Sequence, residues 1–79
     1  MSQAQEIIAA LGGKENIKEL DCCITRLRLV LKDPKLVDEK KLRSQGAIGV
    51  MKLGAAVQVV MGTTAELIEN EMRKLMAGA

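Results

Sequence analysis

Histidine is absent from all 79 residues. That excludes Ser-His-Asp and Cys-His catalysis, and it leaves two cysteines unable to close a usual zinc site. Aromatic residues are also absent, so the chain has no platform on which bases could stack. Net charge is only +2. The densest basic stretch, Lys40-Lys41-Leu42-Arg43, reads as a solvated helix face, so nucleic acid is not an expected partner. No apolar run is long enough to span a bilayer. The first residues, Met1 to Glu6, lack the basic start and apolar stretch of a signal peptide. The two cysteines are neighbours, Cys22-Cys23, which is neither a disulfide framework nor a C-x-x-C pair. Free thiols point to a reducing compartment, the cytosol.

What remains is a chain that is 48% hydrophobic and 28% charged, the balance of one small folded domain over residues 1–79. Ser2-Gln3-Ala4-Gln5 fits a capping box. Ala4, Ile7, Ile8 and Leu11 follow at helical spacing, predicting a helix over 3–11 that Gly12-Gly13 stops. Residues 17–23 read as a strand and 24–25 as a tight connection. Residues 26–32 alternate, with Leu27, Leu29 and Leu31 on one side and Arg26, Arg28 and Val30 on the other. Asp33-Pro34 ends that strand. Asp38 caps a short helix over 39–44. Residues 47–53 and 55–61 form a second hairpin through Gly54. Thr63-Thr64-Ala65-Glu66 is a second capping box, opening a helix over 64–76. The expected fold is α+β: a four-stranded, mainly antiparallel sheet of two hairpins with three helices on one face, in the order α-β-β-α-β-β-α. The five Met residues read as core gap-fillers.

The chemistry concentrates at the first hairpin. Cys22 shares the parity of Leu20 and should face the core; Cys23 shares the parity of Asp21 and should face outward, provided no bulge interrupts 20–23. Asp21, Cys23, Arg26 and Arg28 then converge on the helix-free face. Nearby positive charge favours a thiolate. Arginine forks match phosphate oxygens, and the turn amides of Ile24, Thr25 and Arg26 can form a small anion-binding concavity. Positioning and charge stabilisation are what phosphoryl transfer requires. The residues also permit a plainer account. A lone cysteine is often structural, outward arginines protect sheet edges, and Asp21 could simply pair with Arg26 or Arg28. Gln58, the polar residue inside Ala55-Ala56-Val57-Gln58-Val59-Val60, faces the same side by parity, as a solvated strand residue or as part of the site.

Leu20-Asp21-Cys22-Cys23-Ile24-Thr25-Arg26-Leu27-Arg28 resembles the active-site segment of enzyme IIB domains. These belong to the glucose family, of glucose and N-acetylglucosamine type, of the bacterial phosphoenolpyruvate-dependent sugar phosphotransferase system. The family pattern there is Leu/Val-Asp-x-Cys-x-Thr-Arg-Leu-Arg, with Cys22 on the variable position. The likeness continues through Ala10-Leu11-Gly12-Gly13, Glu15-Asn16-Ile17, Val37-Asp38, Gly46-Ala47-Ile48-Gly49-Val50 and Val57-Gln58-Val59-Val60-Met61-Gly62. The resemblance implies a phosphotransferase component with no separate cofactor, working through a covalent phosphocysteine. Cys23 would take a phosphoryl group from the phosphohistidine of a IIA domain and pass it to a sugar held by the membrane-embedded IIC domain. Arg26, Arg28 and the amides of Ile24 and Thr25 would hold the phosphate. Asp21 would orient an arginine or help the phosphorylated state discharge, and Gln58 would lie at the edge of the site. The domain would work in the cytoplasm, at the inner face of the membrane through IIC, and a transcription regulator is a further possible partner. Two other functions compatible with the residues are a thiol redox or sensing protein that uses Cys22 to resolve Cys23, which a strained ring between neighbours disfavours, and a non-catalytic interaction module.

Overall fold

Ser2 begins the first helix in the way its sequence context requires. Its hydroxyl accepts the Gln5 amide at 3.2 Å, and the Gln5 side chain accepts the Ser2 amide at 2.8 Å. This reciprocal pairing satisfies two donors left open at a helix start. The computed structural model describes residues 2–77, within which α1 runs Gln3–Ala10. Past its end, the amides of Gly12 and Gly13 return to the carbonyls of Ala9 and Ile8, with Gly12 at φ +96°. That left-handed cap is open to glycine. Space demands glycine as well, since a Cβ on residue 12 would lie 2.7 Å from Asn16 Nδ2 and 2.9 Å from Leu36 Cβ.

The order of elements agrees with expectation. Strands β1 (Ile17–Cys23) and β2 (Arg26–Leu31) form one hairpin, α2 (Glu39–Ser44) follows, β3 (Gly49–Leu53) and β4 (Ala56–Val60) form the second, and α3 (Ala65–Ala77) closes the chain. The sheet order is β1-β2-β4-β3, and every pair is antiparallel. Strands β2 and β4 are therefore central and β1 is an edge. The register shifts only between Ile17 and Glu19, so residues 20–23 keep the alternation on which the placement of the cysteines depends.

Alternation sorts the sheet into two faces. Leu27, Leu29, Leu31, Val57 and Val59 are buried together with Ile7 of α1 and Leu11 just past its end, Leu42 of α2, and Ile68 and Met72 of α3. Burial of this apolar set is the main favourable term in the folding of a chain this size. The opposite face carries Asp21, Cys23, Arg26, Arg28 and Gln58.

The structure adds short turns to the expected order of elements and corrects one local expectation. Three single 3₁₀ turns, Lys14–Asn16, Pro34–Leu36 and Gly62–Thr64, have no counterpart among the expectations because they carry too few residues to show a period. The capping box at Thr63–Glu66 does not form, because the chain enters α3 through the third of these turns. There the Thr64 hydroxyl donates to the Met61 carbonyl at 3.3 Å. Tertiary bonding overrides the local signal, since the Met61 and Gly62 amides are drawn to the Thr25 carbonyl at 2.9 and 3.0 Å.

Candidate functional site

Cys23 stands at the end of β1 directly opposite Arg26, and Asp21 stands opposite Arg28. Across β2, Arg28 pairs in register with Gln58 of β4. Strand pairing thus brings onto one open face every residue expected there. Cys23 is an exposed free thiol. It lines a cleft of about 340 Å³ together with Ile24, Thr25, Arg26, Arg28 and Gln58.

The connection between the strands shapes that cleft. Ile24 and Thr25 form a two-residue turn, and neither has positive φ. The turn is therefore not one of the mirror-image types that two-residue hairpins usually adopt. It is held instead from outside, by the Met61 and Gly62 amides on the Thr25 carbonyl. Among the hydrogen bonds of the described residues, the Ile24 and Thr25 amides donate to no protein acceptor. Two open donors stand next to the thiol, with two guanidiniums on the adjoining strand, a set of groups whose chemistry suits anionic oxygens.

The Arg26 guanidinium is already positioned. Its Nη1 donates to Gln58 Oε1 at 3.0 Å, across the strand pair. Gln58, half-buried on the central strand β4, acts as a fixed acceptor and leaves the other guanidinium donors available. Five donors in a rigid fork permit that division.

Asp21 behaves differently from one expectation. The four ion pairs among the described residues involve Lys41, Lys52, Arg73 and Lys74, and none joins Asp21 to an arginine. Its carboxylate accepts the Cys22 amide at 2.8 Å instead. The cause is the edge position of β1, where outward-facing backbone groups lack a strand partner. On the same edge Arg73 Nη2 donates to the Leu20 carbonyl at 2.6 Å and to Glu69 at 2.9 Å. Asp21 is thus tied to the backbone of the strand that carries Cys23.

Cys22 is half-buried on the other side of β1. Burial pushes its thiol above the ordinary value of 9.0, with further upward pressure from Glu69, Glu66, Asp21 and Cys23. The two cysteines, adjacent in sequence, face opposite sides of the sheet and line different clefts. That placement gives Cys22 no geometric support as a resolving thiol. Glu66, Glu69 and Arg73 have no distinguishing sequence signal beyond helical spacing, and only the packing of α3 on β1 brings them here.

Comparison with known proteins agrees with this geometry. Residues 5–38 match the family described as phosphotransferase system, EIIB. The N-acetylglucosamine-specific EIIB component of the PTS system of Streptomyces coelicolor is 51% identical over 75 residues, covering 95% of this chain and 97% of that protein. The glucoside-specific EIICBA component of Staphylococcus carnosus is 44% identical over 73 residues, which are 92% of this chain but 10% of that protein. A solved domain of the PTS system IIabc component from Clostridium difficile superposes with a TM-score of 0.78 at 28% identity, covering 94% of this chain and 78% of that one. The chain belongs to the EIIB family of the phosphotransferase system, the phosphoryl-transfer component of sugar uptake.

Proposed function

We propose that Cys23 is the phosphoryl acceptor of this chain, loaded from a IIA phosphohistidine and discharged onto a sugar held by a IIC domain. The observation that carries the proposal is the shared cleft. An exposed thiol, two guanidiniums and two open turn amides line one concavity. In the first step the Cys23 sulfur forms the S–P bond as the donor N–P bond breaks. The electron pair goes to the imidazole, and the thiol proton leaves to solvent or to that ring. In the second step the S–P bond breaks as a sugar hydroxyl forms the P–O bond, and the hydroxyl proton leaves to a base on the partner or to water. Arg26 and Arg28 spread the charge on the equatorial oxygens in both directions, and the Ile24 and Thr25 amides fix the group against the hairpin.

The sugar and the membrane are supplied by a IIC domain, with this domain working at the inner membrane face; the name of the EIICBA relative, which joins the components in one protein, supports that reading. The name of the Streptomyces relative favours N-acetylglucosamine as the sugar. A transcription regulator that reads the loading of Cys23 would meet the same face. The test is incubation with a histidine-phosphorylated IIA domain and intact-mass analysis. The chain gains one phosphoryl group, Cys22→Ser retains the gain and Cys23→Ser loses it. Retention of the gain in Cys23→Ser overturns the assignment.

A further inference from the structure

The function proposed for Cys23 leaves unexplained why Cys22, one residue away and also a free thiol, is passed over. Alternation supplies part of the answer by turning the side chains apart. The surroundings of Cys22 supply the rest. Its side of β1 opens on a separate cleft of about 440 Å³ lined by Asp21, Cys22, Ile24, Thr63, Glu66 and Glu69. Three of these six residues are carboxylates, and none is a cation.

Resting on the reading of Cys23 as acceptor, we infer that Glu66 and Glu69 of α3 are specificity-determining residues: they turn the Cys22 side of β1 into an anion-repelling cleft and so confine phosphoryl loading to Cys23. The geometry is built rather than incidental. Glu69 is held by Arg73, which simultaneously grips the Leu20 carbonyl, so its carboxylate is fixed over the edge strand. Asp21 is fixed too, by the Cys22 amide.

The groups facing Cys22 can be enumerated element by element. From β1 comes Asp21, with Cys23 adjacent but turned to the other face, and from α3 come Glu66, which has no cationic partner among the described residues, and Glu69, whose charge Arg73 partly offsets. From β2 comes Leu27, directly opposite and uncharged. A phosphohistidine approaching this side would bring its anionic oxygens against the carboxylates of Asp21, Glu66 and Glu69, at a cost that falls off only over several ångströms. The same approach to Cys23 meets Arg26, Arg28 and open amides. One strand thereby presents an accepting and a rejecting side to a single donor. Both Glu66 and Glu69 touch neither the phosphate nor Cys23, and act through the field at Cys22.

The test isolates Cys22 from phosphorylation. In the full-length Cys23→Ser chain, Cys22 is the one remaining thiol. Its alkylation is followed with neutral iodoacetamide and anionic iodoacetate across the alkaline range. The carboxylates predict a low iodoacetate-to-iodoacetamide rate ratio that rises roughly three- to tenfold when Glu66→Gln and Glu69→Gln are combined, with the pH of half-maximal reaction moving down. Glu66→Gln alone, at an exposed side chain with no hydrogen bond to lose, gives a smaller rise in the same direction and keeps the test meaningful if the double variant fails to fold. An unchanged ratio in folded Glu66→Gln or in the folded double variant overturns the inference, because burial alone would slow both reagents alike. Since no phosphoryl donor is involved, that failure is distinct from failure of Cys23 as acceptor.

Discussion

Leu27 and Arg28 are consecutive residues of β2, yet Leu27 is completely shielded while Arg28 lines the cleft beside Cys23. The same division runs through the whole sheet. On the covered face Leu27, Val57 and Val59 are at zero exposure, packed under α1, α2 and α3, and they supply cohesion without chemistry. On the open face Cys23, Arg26, Arg28 and Gln58 form a polar site that contributes little to the core. The comparison teaches that a domain of this size can separate stability from chemistry at single-residue intervals, because strand side chains alternate. A substitution should therefore damage one and spare the other.

The largest effect expected on that division comes from the covered face. Leu27→Ala removes a fully buried side chain from a central strand and should cost about 2–5 kcal/mol, read as a lower urea midpoint. At denaturant-free conditions the surviving folded fraction should still load phosphate. Next comes Arg28→Lys, which keeps the charge but loses the fork. It should slow phosphoryl transfer about tenfold, equivalent to roughly 1.4 kcal/mol of barrier, and leave the free energy of unfolding from urea titration within about 0.5 kcal/mol of the parent. A large stability loss there would blur the separation of faces.

The smallest effect concerns Cys22, which straddles the boundary. Folding raises its thiol above 9.0, by burial first and then by Glu69, Glu66, Asp21 and Cys23. As pH climbs, the unfolded chain releases this proton before the folded chain does. The unfolded state then binds fewer protons, and stability falls with pH. The contribution is intact below the unfolded value and is lost as pH rises through the folded one. Urea midpoints at about pH 8 and about pH 10.5 should therefore differ more for the parent than for Cys22→Ser. An equal decline would place Cys22 in a more open setting than the structure gives it.

Much of this was legible in the sequence for identifiable reasons. Period-two alternation in Arg26–Leu31 fixed which residues line each face, and capping residues Ser2 and Asp38 marked two helix starts. The segment from Leu20 to Arg28 carried the family resemblance. Less was legible where partners come from distant elements. Nothing in residues 61–66 reveals that the Thr25 carbonyl claims two amides there, which displaces the expected cap. Nothing in Asp21 reveals that its strand is an edge, which turns its carboxylate toward Cys22. Nothing in the sequence around Glu66 and Glu69 reveals what they face until the helix is laid against β1.

The central claim is that an anion on Cys23 is gripped by the hairpin beside it. Amide NMR spectra of isotope-labelled chain, taken before and after loading by a phosphorylated IIA domain, test it directly. The account predicts that the largest shifts fall on the backbone amides of Ile24 and Thr25 and on the guanidinium signals of Arg26 and Arg28. Unmoved Ile24 and Thr25 amides, with the main changes at Cys22 and along α3, would contradict it.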